Sequence, residues 1–318
     1  MQVVMCEAYG PPDGLVVKDV PSPLAGPGEV KISLRARGVS FADVLRIAGT
    51  YHVKTKPPFI PGGEASGEII GLGAGVGGFA VGDRVLCAGG YAEECVQPAS
   101  SVIKLPSTVS FEAAASFRSS YMTALTAMQR GRLQPGETLL VHGAAGGVGL
   151  ATVDIGKLMG ARVIATARSP ERLEVCKELG ADHVVDYSDG FREKVLEITG
   201  GRGADVIFDP VGGDVFDESM RCIAPYGRIL IVGFTSGRPA VAKTNHLLVK
   251  DAEIIGFTIG ALAKLKPELA KANLDVLVGW LASGRIHPYH SHALPLAQAS
   301  EALKLVVDRQ VIGKALLV

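Results

Sequence analysis

The sequence predicts an α/β fold in two parts, a β-rich compact barrel followed by a doubly wound parallel sheet of six strands. Three observations carry that expectation. Residues 1 to about 115 are short apolar runs broken by Gly- and Pro-rich turns, the pattern of a small all-β body. From about residue 116, strand-like and helix-like stretches alternate, which is the grammar of a parallel sheet with helical crossovers. Leu139-Leu140-Val141-His142-Gly143-Ala144-Ala145-Gly146-Gly147-Val148-Gly149 then reads as a buried strand running into a glycine-dense turn that opens a helix.

In the first part, Gly10-Pro11-Pro12-Asp13-Gly14, Pro21-Ser22-Pro23 and Gly26-Pro27-Gly28-Glu29 are turn signals. Val30-Lys31-Ile32-Ser33-Leu34-Arg35-Ala36 alternates in period two, as a half-buried strand must. Ala42 to Ala48 is a short helix candidate entered after Ser40, and further strands are expected at 68–73 and 83–86. In the second part a helix is expected over 119–129, with strands over 138–142, 162–167, 183–186, 205–209, 228–233 and 253–257. The tail breaks the alternation. It reads as a long helix from Pro267 to Ser283, a helix from Pro295 to Val306 and a final strand over 314–318.

A chain of 318 residues with 47% hydrophobic content can build two cores. Basic and acidic residues balance at 32 each, without a basic run, so neither nucleic acid nor an anionic membrane is an expected partner. No apolar run approaches the roughly 20 residues of a membrane span, and the N-terminus lacks a signal-peptide pattern. Cys6, Cys87, Cys95, Cys176 and Cys222 form no C-x-x-C pair. An odd set without a framework points to reduced thiols and a cytoplasmic setting.

The glycine turn has a chemical reading. A pyrophosphate needs backbone N–H groups at a helix N-terminus with no side chains in its way. Ala144 takes the first glycine slot of G-x-G-x-x-G, and Gly146 and Gly149 take the others. Ala145, Gly146, Gly147 and Val148 are therefore candidate dinucleotide contacts; the bland alternative is a tight strand–helix connection. The end of the next strand selects the cofactor. An acid there bonds the ribose 2′-OH of NAD, whereas a basic residue accepts the 2′-phosphate of NADP. The strand runs out as Ala167-Arg168-Ser169-Pro170-Glu171-Arg172 with no acid at its end. Arg168, Ser169 and Arg172 are thus candidates for a 2′-phosphate and favour NADPH. Ser169 also fits an N-cap, with Pro170 as the first helical residue.

Several segments carry a family resemblance that spans essentially the full length. They include Gly49-Thr50-Tyr51, Pro61-Gly62-Gly63-Glu64 before Gly67, Val81-Gly82-Asp83-Arg84-Val85, Tyr121-Met122-Thr123-Ala124, Asp209-Pro210-Val211-Gly212-Gly213 and Gly313-Lys314. The chain resembles the medium-chain dehydrogenases/reductases, in the zinc-free NADPH:quinone oxidoreductase branch typified by the zeta-crystallin-like enzymes. The resemblance implies a GroES-like catalytic domain over 1–118 and 262–318, with a Rossmann domain over 119–261 inserted in it. Zinc-dependent members carry Cys in a G-V-C-H-x-D-like segment and His in G-H-E-x-x-G. Here Ser40 and Gly63 stand in those places, and neither supplies the thiolate or imidazole that catalytic zinc needs. No metal is therefore expected. The chain departs from many members in having Ser40 in place of Asn, and from some in having Leu45 in place of Tyr.

The implied reaction is hydride transfer from NADPH to a quinone or another α,β-unsaturated carbonyl, helped by hydrogen-bond donors at the acceptor oxygen. Tyr51, Ser40 and Thr123 are the candidate catalytic groups. Their bland readings are a loop-packing aromatic, a helix-cap serine and a threonine bonded back to its own helix. Asp43 and Glu64 read as structural acids. Tyr187, Gly233, Phe234, Phe257 and Thr258 lie at strand ends and are candidate cofactor contacts. Lys314 is a candidate for the phosphates or an exposed strand lysine. In the family the sixth strand of the parallel sheet pairs across a dimer axis, which implies a homodimer. Two alternatives stay open: a 2-enoyl thioester (acyl-CoA or acyl carrier) reductase with Tyr51 as proton donor, and a non-catalytic NADPH-binding structural or sensor protein.

Overall fold

The strands follow in chain order as β1 (Gln2–Cys6), β2 (Leu15–Asp19), β3 (Glu29–Val39), β4 (Ala65–Leu72), β5 (Arg84–Cys87), β6 (Glu94–Pro98) and β7 (Ile103–Lys104). Next come β8 (Thr138–Val141), β9 (Arg162–Ala167), β10 (His183–Asp186), β11 (Ala204–Asp209), β12 (Ile223–Ile231) and β13 (Glu253–Gly256), and last β14 (His290–Leu294) and β15 (Lys314–Leu317). The computed structural model describes residues 1–318 and divides into two units, Met1–Arg118 with Pro288–Val318, and Ser119–His287.

The first unit holds a seven-stranded sheet in the order β14-β15-β3-β4-β5-β7, with β6 also paired to β3. Its centre is β3. Val30, Ile32 and Leu34 point inward, while Lys31, Ser33 and Arg35 are more exposed, as the alternation requires. From Ala36 to Val39 both faces are covered. There Ala36 packs with Ala115, from the short helix Phe111–Ala115, and with Leu316 of β15. The last strand thus returns to complete the first unit, with Ala315 opposite Val39 and Leu316 opposite Gly38.

The second unit is a six-stranded sheet in the order β10-β9-β8-β11-β12-β13, parallel throughout. This is the doubly wound Rossmann order, whose direction of winding reverses between β8 and β11. β8 and β11 are buried along their full length, as strands covered on both faces must be.

The tail departs from expectation in two places. The segment 262–287 stays with the second unit instead of joining the first. Gln129 and Asn273 exchange side-chain amide hydrogen bonds of 2.8 and 2.9 Å, which holds the helix Pro267–Ala282. The His287 amide donates to Asp154 Oδ2 at 2.6 Å, and the Tyr121 hydroxyl donates to the same oxygen at 2.7 Å. The expected helix 295–306 is a short 3₁₀ turn, Leu296–Gln298, followed by an α-helix over Ala299–Val307.

One buried polar group inside the second unit makes its stability depend on pH. His142 follows β8 and is 1% exposed, with Nδ1 3.0 Å from Thr166 Oγ1 and Nε2 2.8 Å from Ser219 Oγ. The Ser219 hydroxyl donates to Val215 O at 2.7 Å, so its oxygen accepts and Nε2 carries the proton. Burial pushes the His142 pKa down to about 3. The unfolded chain therefore takes up a proton that the folded chain refuses. This contribution to stability is complete above the ordinary histidine pKa of about 6.5. It is lost as pH falls from there toward about 3. Urea midpoints measured between pH 7 and 4 should fall more steeply for wild type than for His142→Gln. The difference in slope is at most about 1.4 kcal/mol per pH unit.

Candidate cofactor-binding and active site

In a parallel sheet all carboxyl ends lie along one edge, where ligands bind. In the second unit that edge carries Ala145–Val148 after β8, Arg168 and Ser169 after β9, and Tyr187 after β10. Gly233 and Phe234 follow β12 there, and Phe257 and Thr258 follow β13. The topology brings these sequence-derived candidates to one edge.

The glycine turn is built for close approach. A Cβ on Gly149 would lie 2.3 Å from Gly143 O and 2.6 Å from Ala144 Cα, so the helix Gly147–Leu158 rests directly on the turn. Gly146 is a different case. Its φ of −80° suits any residue, and a Cβ there would meet only Gly143 O, at 3.4 Å. Nothing in the chain demands glycine at 146. The open space in front of it, beside amides that the helix geometry leaves without acceptors, fits a pyrophosphate.

Arg168 is exposed, and its guanidinium carbon lies 4.7 Å from the centre of the Tyr187 ring. The ring gives the guanidinium a face to rest on. Ser169 precedes Pro170 as the N-cap residue, but its hydroxyl makes no cap bond. Its φ of 82° is in the left-handed region, unusual for serine and held at a cost of order 1–3 kcal/mol. Arg172 is half-buried in the first turn of the following helix. Thr258 caps the helix Ile259–Leu265, accepting from the Ala261 amide at 3.1 Å.

Asp209 closes β11. It is 1% exposed, and its Oδ1 accepts from the amides of Val211 and Gly212 at 2.8 and 2.9 Å. Burial raises its pKa, and Oδ2 has no partner. The side chain pins the loop whose Pro210 borders Gly143. The sequence signal was an Asp two residues before the amide it binds.

In the first unit, Ser40 caps the helix Phe41–Ile47. Asp43 Oδ2 accepts from the Ser40 amide at 3.0 Å, the Ser40 hydroxyl at 2.7 Å and the Tyr91 hydroxyl at 3.2 Å. Burial raises the Asp43 pKa, opposed by the Ser40 hydroxyl and by the charges of Lys314 and Arg46. Glu64 and Lys314 form a buried ion pair. Lys314 is 6% exposed, so the reading of an exposed strand lysine fails. Nor does it match a lysine held out for phosphates, because its ammonium is engaged by Glu64. Tyr51 is half-buried, with the Arg46 guanidinium 5.1 Å from its ring centre and the His52 ring at 4.2 Å. Thr123 belongs to the helix Arg118–Arg130, and its hydroxyl donates back to Ser119 O at 2.7 Å. No three His, Cys, Asp or Glu side chains converge as a metal would require.

The first unit matches the family described as alcohol dehydrogenase GroES-like domain over residues 26–107, and residues 147–275 match the family described as zinc-binding dehydrogenase. A quinone oxidoreductase-like protein 2 homolog from Nematostella vectensis is 39% identical over 99% of this chain and 88% of its own. The chain belongs to the medium-chain dehydrogenase/reductase family, in its quinone oxidoreductase branch. It is an oxidoreductase of that fold. A 2-haloacrylate reductase from a Burkholderia species is 33% identical over 97% of this chain and 96% of its own. The crystal structure of Escherichia coli quinone oxidoreductase complexed with NADPH superposes with a TM-score of 0.89 at 26% identity, covering 100% of both chains. No helix in this medium-chain reductase is long and apolar enough to cross a membrane.

Two substitutions test the architecture. Gly149→Ala must displace backbone and should cost about 1–3 kcal/mol in a urea titration. Glu64→Gln leaves the buried ammonium without its carboxylate and should cost about 3–5 kcal/mol, with Glu64→Gln/Lys314→Met recovering most of the loss.

Proposed function

We propose that the chain reduces quinones or other α,β-unsaturated carbonyls with NADPH, without zinc, as a homodimer. The observation that carries this is Arg168, an exposed guanidinium at the strand end where an acid would select NAD. NADPH supplies the hydride from its nicotinamide ring. The backbone of Ala145–Val148 holds the pyrophosphate, and Arg168, Ser169 and Arg172 hold the 2′-phosphate. Tyr187 supports the guanidinium, while Gly233, Phe234, Phe257 and Thr258 border the rest of the dinucleotide.

The hydroxyls sort themselves by where their protons already go. Ser40 donates to Asp43 and Thr123 donates to Ser119 O. Each offers an acceptor a lone pair and not a proton. The Tyr51 hydroxyl has no hydrogen bond within the chain, and the Arg46 guanidinium rests 5.1 Å from the centre of its ring. Tyr51 is thus the one of the three with a proton free to give, which enoyl thioester reduction would use and a reduced quinone can instead take from solvent. The same free hydroxyl favours a second reading, enoyl thioester reduction. Ser40 and Gly63 in the zinc-ligand places support metal-independent chemistry. β13 ends its sheet with an unpaired edge, which suits pairing with a second copy.

Arg168→Asp should weaken NADPH binding by at least about tenfold, the worth of one charge-assisted contact, and NADH binding far less. Equal losses in a fluorescence titration would remove the 2′-phosphate assignment. Tyr51→Phe should cut kcat with an enoyl thioester if that is the substrate, and leave quinone turnover nearly unchanged if a quinone is. Chelation should leave turnover intact. NADPH bound but not oxidised by any quinone, enone or enoyl thioester would mark a non-catalytic protein.

A further inference from the structure

All five thiols are free. Three stand alone. The Cys6 thiol donates to Ala8 O at 3.3 Å, and burial pushes the thiols of Cys176 and Cys222 up to about 12. Cys87 and Cys95 differ because they meet. Cys95 of β6 stands opposite Ile32 of β3, and Cys87 of β5 stands opposite Ala65 of β4. Opposed residues share a face of the sheet, and Ile32 and Ala65 are both fully buried. Both cysteines therefore lie on the buried face of the sheet, against the same cluster of Val30, Leu34 and Ile69. The two side chains pack together in this cluster, close enough that each thiol shifts the proton affinity of the other.

The two thiols are not equivalent. The hydrogen bond from Cys87 holds the Cys95 thiol below its ordinary range, helped by the Gln97 amide and the Arg37 guanidinium. The same contact, with burial, holds Cys87 well above its own. Arg37 is fixed in place by bonds to Ala92 O at 2.9 Å and Leu34 O at 3.0 Å. The other charges acting on this cluster are Glu93, near Arg37, and Arg118, near Cys87. Cys95 is half-buried and Cys87 fully buried, so an oxidant from solvent reaches Cys95 first.

We propose that Cys95 and Cys87 form a two-cysteine oxidation site, with Cys95 attacking a hydroperoxide and Cys87 resolving the product as an intramolecular disulfide. The Cys95 sulfur attacks one peroxide oxygen, the O–O bond breaks, and the departing oxygen leaves as an alcohol or water after taking a proton. Cys95 is then a sulfenic acid. The Cys87 sulfur displaces its hydroxyl, forming the S–S bond, breaking the S–O bond and releasing water with the Cys87 thiol proton. Two thiols lose two electrons and two protons, and the peroxide gains them. The bridge closes the short loop between β5 and β6, which carries Tyr91. That loop is tied to the chain elsewhere by Val4 N to Tyr91 O at 2.8 Å and by the Tyr91 hydroxyl to Asp43.

The test treats the reduced full chain with hydrogen peroxide at neutral pH without denaturant, then counts thiols by alkylation in denaturant and maps the peptides by mass. The proposal expects a loss of two hydrogens, three alkylatable thiols in place of five, a Cys87–Cys95 cross-linked peptide, and full reversal by dithiothreitol. Cys95→Ser should form no bridge, and Cys87→Ser should accumulate a Cys95 sulfenic acid captured by dimedone. Five alkylatable thiols with the mass unchanged, or a bridge that uses Cys6, Cys176 or Cys222, would overturn it. The wild-type readout decides the matter even if a variant folds poorly.

Discussion

The ion pair of Glu64 with Lys314 joins residues 250 positions apart, and the first unit depends on it. It fastens β15 beside β3 at the point where the sheet is covered on both faces. Burying two charges costs several kcal/mol each, which only close pairing offsets. The surroundings share that load. The Lys314 charge also acts on Asp43, which in turn collects the Ser40 and Tyr91 hydroxyls. One cation and two carboxylates, with Arg46 beside them, form a polar knot in the first unit.

The second unit solves a different problem. Its glycine turn keeps backbone amides uncovered at one helix end and packs that helix tightly at Gly149. His142 and Asp209 brace the turn from behind, one by a neutral ring between two hydroxyls and the other by holding two amides. Burial keeps the His142 ring neutral and raises the pKa of Asp209, while the edge itself carries the exposed guanidinium of Arg168.

Much of this was legible beforehand because it rests on local pattern. Alternation along Val30–Ala36, the strands from 138 to 257 and the glycine turn each follow from the period of the backbone and need no distant partner. What escaped was set by distant contacts. The helix Pro267–Ala282 has no local mark assigning it to either unit, and its Asn273 partner lies 144 residues away. Lys314 reads in the sequence as a candidate for the cofactor phosphates or as an exposed strand lysine, because its partner Glu64 lies 250 residues away. Ser169 has the sequence of a cap, yet its φ of 82° keeps the hydroxyl from the first-turn amides. Of the three candidate hydroxyls, only the folded chain reveals which proton is still available.

The return of β15 to β3 has a consequence for the order in which the chain acquires structure. The second unit is one continuous stretch, Ser119–His287, and has all its strands once His287 has been made. The first unit has a gap in its sheet until Lys314–Leu317 emerge. During synthesis the nucleotide-type sheet can close while the earlier barrel still waits, its β3 edge open and its Glu64 without a counter-charge. The part made first is finished last, and an unfinished chain exposes the edge that β15 will cover.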